Sequence, residues 1–224
     1  MKNQNLLLSV NVLIFLFLFA GIHFASAQDE LGLKGGILFS DIVVPDNNSN
    51  VEIEKRDGIL VGVFYTKNNL LGKIGLQTEL LYQQKGANFY IKKIESTPGS
   101  SYDIYTFELN APKSYYKEEE VLHYISVPIL INIPATKFLE LYIGPEVGYL
   151  FSEKTNREIT GKLNRFSAGA TAGAILNFCK HTSIDLRYSR DLSSFDDLDK
   201  TMSLDMHNQG FSITLQQKLF IKQK

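Results

Sequence analysis

Strict two-residue alternation over long stretches constrains this chain more than any other feature. Over residues 138–152 one face reads Leu139, Leu141, Ile143, Pro145, Val147, Tyr149 and Phe151, and the opposite face reads Glu140, Tyr142, Gly144, Glu146, Gly148, Leu150 and Ser152. Side chains of a β-strand point alternately to its two sides, so this is a ribbon with one apolar and one polar face. The same period recurs over residues 31–40, 58–67, 73–84, 123–133, 163–176, 182–190 and 210–220. These segments predict eight strands, mostly about 9–15 residues long. Strands of soluble sandwiches are usually about 5–6 residues, whereas strands that cross a bilayer need about 9–11.

The connections between these segments sort by parity. Residues 68–71, 134–137 and 178–181 are short, while 41–57, 86–122, 153–162 and 191–209 are longer and polar. Tight turns at one end and extended loops at the other mark an up-and-down outer-membrane barrel, with an even strand count placing both termini in the periplasm. Threaded this way, Phe39, Tyr82, Tyr124, Tyr149, Phe151, Phe166 and Tyr188 form an outer aromatic girdle. Tyr65, Phe138, Phe178 and Phe220 form a periplasmic one. Backbone amides in hydrocarbon need partners, so the sheet must close, with residues 31–40 pairing with 210–220. The expected fold is an all-β, eight-stranded antiparallel up-and-down transmembrane β-barrel. A soluble, lipocalin-like barrel with its apolar faces turned inward is the alternative.

An export signal precedes the alternating region. One lysine, an apolar run over residues 6–20 and Ala25-Ser26-Ala27 before Gln28 have the organisation of a secretory signal peptide. The expected domains are a signal peptide at 1–27, cleaved after Ala27, and a barrel at 28–224, with the cell outer membrane as destination. Net charge of −1 gives no basic excess for nucleic acid, and a single cysteine, Cys179, excludes an intrachain disulfide framework.

An eight-stranded barrel is just wide enough for its side chains to fill it. The polar faces place Lys34, Glu79, Glu140, Glu146, Asp185, Arg187 and Lys218 inside, and their mixed signs predict a paired interior network. A narrow pore lined by Glu79, Glu146 and Arg187 is the functional alternative. His123, His181 and His207 show no metal-ligand spacing, and no cofactor is expected. The stretch from Asp191 to Lys200 lacks the EF-hand ligand pattern and reads as a solvated loop. A rim enzyme would draw on His123, Ser126, Ser189, His207 and Asp191, but no GxSxG elbow supports one, and the chain is not expected to be an enzyme. The 86–122 connection holds Tyr90, Tyr102, Tyr105, Tyr115 and Tyr116, either packed together or forming a contact surface. Its segments ANFYIKKIE and SYDIYTFEL alternate well enough to continue the hairpin above the membrane.

The motifs LGLKGGILFSDI, GLQTELLYQQKGA, YISVPILINI and LYIGPEVGYLFS resemble those of the PorT-like outer-membrane β-barrel family of Gram-negative bacteria, over residues 31–220. The resemblance implies an outer-membrane barrel without shared catalytic residues, in a family that includes a component associated with secretion and gliding machinery. Ser126 stands where that family often has an acidic residue, and the chain runs four residues past Phe220, the aromatic through which barrel-assembly machinery is expected to recognise it. The expected role is a structural or interaction scaffold presenting outer loops to a protein or ligand. Its expected surroundings are outer-membrane lipid and, during biogenesis, the assembly machinery. A small-solute channel is the competing function.

Overall fold

In the computed structural model, the structure describes residues 29–43, 51–92, 115–155, 164–193 and 207–221. They form eight strands: β1 (Asp29–Val43), β2 (Val51–Leu71), β3 (Ile74–Lys92), β4 (Tyr115–Pro134), β5 (Leu139–Thr155), β6 (Phe166–Asn177), β7 (Thr182–Asp191) and β8 (His207–Ile221). Each strand pairs antiparallel with the next, and β8 pairs with β1 to close the barrel. The closure runs from Leu31↔Phe220 to Val43↔His207. Every strand therefore has two hydrogen-bonded neighbours, the arrangement hydrocarbon demands of a sheet. No helix among the described residues is long and apolar enough to cross a membrane.

Side-chain alternation follows the pattern of the sequence. On β5, Leu141, Ile143 and Val147 are 47–59% exposed while Glu146, one residue out of phase, is 3% exposed. The apolar faces look outward and the polar faces line the lumen, which rules out the inward-apolar, lipocalin-like arrangement. Phe138, Phe178 and Phe220 stand exposed at the turn end, and Phe151, Phe166 and Tyr188 at the loop end.

Several expectations need correction. Strands reach 21 residues: β2 and β4 extend through 51–57 and 115–122, which the polarity of the sequence assigns to loops, while β3 runs on to Lys92, inside the segment ANFYIKKIE expected to continue the hairpin. The alternation there is interrupted by a register shift between Lys55 and Leu60, and by Gly86 at φ 138°, where a Cβ would sit 2.0 Å from the Glu120 carbonyl. The turn expected at 68–71 lies instead at Gly72 and Lys73, because β2 continues to Leu71, which pairs with Ile74. Gly72, at φ 67°, holds the first central position, where a two-residue hairpin turn favours glycine. Tyr124 does not join the outer girdle: it is fully buried, on the lumenal face of β4 with Leu122 and Ser126.

Candidate functional site

The barrel's chemistry is concentrated in its lumen, in two tiers. Nearer the turn end, Lys34 of β1, Glu79 of β3 and Asp185 and Arg187 of β7 meet with side chains 0–2% exposed. Lys34 Nζ donates to Glu79 Oε1 at 3.1 Å and also to Asp185. Arg187 Nη2 donates to Glu79 Oε1 at 2.8 Å, and its Nε to the Tyr142 hydroxyl at 3.0 Å. That hydroxyl in turn donates to Asp185. Gln77 and Gln216 supply further donors, at 2.5 Å to Glu79 and 3.3 Å to Asp185. Asn132 and Thr66 both donate to Gln77 Oε1, each at 3.0 Å. Two cations thus face two anions, with uncharged donors around them. Buried ions persist only when paired and hydrogen-bonded in this way.

Toward the loop end, Lys85 of β3 donates to Asp191 of β7 at 3.1 and 3.3 Å and lies 3.8 Å from Glu146 of β5. Gln83 donates to Glu146 at 3.0 Å and Asn208 to Asp191 at 3.3 Å. The Lys85 ammonium also lies 5.1 Å from the centre of the Tyr124 ring, a cation–π contact. Leu38, Leu60 and Leu81 pack together on the β1–β3 wall, with Leu81 lying between Glu79 and Gln83 on the inner face of β3. In an eight-stranded ring β3 and β7 face each other, so each tier ties opposite walls together.

Of the seven charged residues expected inside, Lys34, Glu79, Asp185 and Arg187 come together, and Glu146 joins the second tier. Glu140 and Lys218 do not join either tier. Glu140 accepts from Asn177 at 2.6 Å, and Lys218 pairs with Glu30 at 2.8 Å, both near the turn end where strands begin or finish. The alternation puts Tyr142 on the inward face without naming its partners, the sequence reading gives Asp191 to the outer loop and the rim, and Lys85 falls just past the predicted strand. Lys85 and Asp191 continue the inward phase of β3 and β7 just past the ends of the predicted strands, so extending the alternation finds them.

The residues of a rim enzyme do not converge. Ser126 and Ser189 are buried on lumenal faces and Asp191 is held by Lys85, whereas the His123 ring stacks on the outward-facing Tyr82 and contacts Phe151. No group of three or more metal-ligating side chains occurs among the described residues. Tyr90, Tyr115 and Tyr116 lie on the β3–β4 hairpin, with Tyr90 opposite Lys117 and Ile91 opposite Tyr116. Tyr102 and Tyr105 lie outside the described residues, as do the signal segment and most of the Asp191–Lys200 stretch.

Among solved structures, Neisserial surface protein A is similar at TM-score 0.50 and 9% identity, over 84% of this chain and 97% of that one, a likeness of fold. The attachment invasion locus protein Ail of Yersinia pestis aligns at 12% identity and TM-score 0.47, over 87% of this chain and 100% of that one. OprG of Pseudomonas aeruginosa aligns at 11% identity and TM-score 0.41, over 86% and 94%. Comparison with curated proteins yields no match. The model of the outer membrane protein beta-barrel domain matches residues 24–197. With that match over most of its length, on a closed barrel apolar outside and ion-paired within, the chain belongs to the outer membrane protein beta-barrel domain family.

Proposed function

We propose that this outer-membrane barrel is a sealed scaffold whose loop end faces outward and offers the β3–β4 hairpin to a partner. The observation that carries this reading is the lumen: Lys34, Glu79, Asp185 and Arg187 join β1, β3 and β7 by direct ion pairs that occupy the path a solute would take. The hairpin continues past the lumenal tiers to Lys92 and Tyr115, a ladder of backbone pairs that holds Tyr90, Tyr115 and Tyr116 at fixed register. Tyrosines on a rigid support suit protein contact, because two side-chain torsions cost little entropy to fix. Within the family the motifs favour a PorT-like member, in keeping with a place beside envelope secretion machinery. The mature chain begins at Gln28 after signal cleavage, and Phe220 serves barrel assembly.

The test is a planar-bilayer recording of the purified full-length mature protein. A sealed scaffold gives no stable conductance at neutral pH, and steady unitary steps would assign the lumen to transport instead. Photo-crosslinkers placed at Tyr90 and Tyr116 in cells then report the partner, with a crosslinker at Lys137 on the turn end as the contrasting position.

A further inference from the structure

A second set of polar side chains lies on the outer wall, where the lumenal network cannot use it. On this wall Ile129, Ile131 and Ile133 of β4 are 46–50% exposed, forming the apolar band. Above them the outward positions become Tyr82, Gln84 and His123, and then charged residues. Tyr82, His123 and Phe151 pack ring against ring, with centroids 6.0–6.1 Å apart. Aromatic rings collect at this depth because their bodies are apolar and their tips polar.

A hydrogen-bond chain organises this cluster. Gln84 Nε2 donates to the Tyr82 hydroxyl at 3.1 Å, and that hydroxyl lies within hydrogen-bond distance of His123 Nδ1, at 2.8 Å. Two cations line the outer face of β4 beside the ring, Lys154 and Arg56. Lys154 is exposed and stands opposite Val121, two positions beyond the His123↔Ser152 pair. Arg56, its side chain 15% exposed, reaches across β3 to Glu119, Nε to Oε1 3.1 Å.

We propose that Arg56, His123 and Lys154 form an anion site on the outside of the barrel that takes the phosphate of a membrane lipid head group. Position selects the occupant. These donors top an apolar wall embedded in acyl chains, at the level where head groups lie, and with the loop end outward (the orientation proposed above) that leaflet is the outer one. A guanidinium, an ammonium and an imidazole suit a phosphate, which has several acceptor oxygens and negative charge. Glu119 engages Arg56 through Nε and orients the guanidinium.

The test measures lipid retained on the purified barrel in detergent, a readout independent of insertion direction and of any pore or protein partner. The wild-type protein and R56Q/K154Q are exchanged into detergent containing bisphosphorylated lipid A, dephosphorylated lipid A, or bisphosphorylated lipid A with inorganic phosphate as competitor. K137Q/K180Q, at the turn end, serves as the charge-matched control, and heat-modifiable migration checks folding. Wild type and the control should retain the bisphosphorylated lipid about tenfold better than R56Q/K154Q and better than the dephosphorylated lipid. Inorganic phosphate should not displace it. Equal retention by R56Q/K154Q, or no preference for the phosphorylated lipid, overturns the site, and displacement by inorganic phosphate reassigns it to soluble anions. Should R56Q/K154Q not fold, K154Q alone, changed at an exposed position, should still lower retention several-fold, and unchanged retention would equally overturn the proposal.

Discussion

Arg187 Nη2 lies 2.8 Å from Glu79 Oε1, so β7 is tied directly to β3 on the opposite wall across 108 residues of sequence. Lys85 and Asp191 repeat the connection between the same strands nearer the loop end, at 3.1 Å. The lumen is thus cross-braced twice along one diameter, and the braces are ionic because the outer face has already taken the apolar residues.

Removing one partner of the first brace leaves a buried charge uncompensated. Glu79→Gln should cost about 3–5 kcal/mol in reversible urea unfolding, and Arg187→Met a similar amount. The double variant should lose less than the sum, giving a coupling energy of at least about 1 kcal/mol in a double-mutant cycle. Strict additivity would mean that the two side chains do not sense each other.

The second brace should be weaker. Lys85 keeps a second carboxylate, Glu146, 3.8 Å away when Asp191 is changed. Asp191→Asn should therefore cost less than Glu79→Gln, about 1–3 kcal/mol, mainly through the lost charge-assisted bond. The same unfolding measurement ranks the two variants, and the reverse order would contradict the assignment of tiers.

Two glycines give opposite expectations. A Cβ on Gly144 would lie 1.9 Å from the Ile129 carbonyl oxygen, a backbone atom of the neighbouring strand, whereas one on Gly35 would first meet Val61 Cγ1 at 3.5 Å. Gly144→Ala should prise β4 from β5 and cost about 3 kcal/mol or more, while Gly35→Ala should stay within about 0.5 kcal/mol of wild type. Heat-modifiable migration and urea midpoints compare them directly.

Deleting Leu219 to Lys224 removes the Leu31↔Phe220 and Glu30↔Ile221 pairs at the seam. The truncated chain should fail to enter the membrane fraction, which cell fractionation and immunoblotting detect. Normal insertion would mean that neither the seam's turn end nor Phe220 matters for assembly.

Strand number, closure and facing were legible because lipid and lumen impose opposite polarity on adjacent residues, as Glu146 and Val147 show. Where the outer environment turns from lipid to water, that contrast disappears. The upper parts of β2 and β4 accordingly read as loop, and neither Lys85 nor Asp191 is given to the lumen although each keeps the inward phase of its strand. Tyr124 was assigned by its residue type, as an aromatic near a rim, when its even position already placed it inward with Ser126. Glu140 and Lys218 show the converse limit: alternation gives a side, but not the partner, and near the turn end each found a nearby group on an adjacent strand. Pairing between opposite walls, such as Arg187 with Glu79, depends on barrel diameter and register, which no local pattern carries.

The division of the two faces is tested most directly by nitroxide labels placed singly at positions 141 to 147 of β5 in a Cys179→Ser background, with the protein reconstituted in lipid vesicles. Collision with oxygen, which concentrates in acyl chains, should be high at 141, 143, 145 and 147 and low at 142, 144 and 146. A reversed alternation, or odd positions that collide instead with a water-soluble nickel complex, would contradict a barrel whose apolar wall meets lipid.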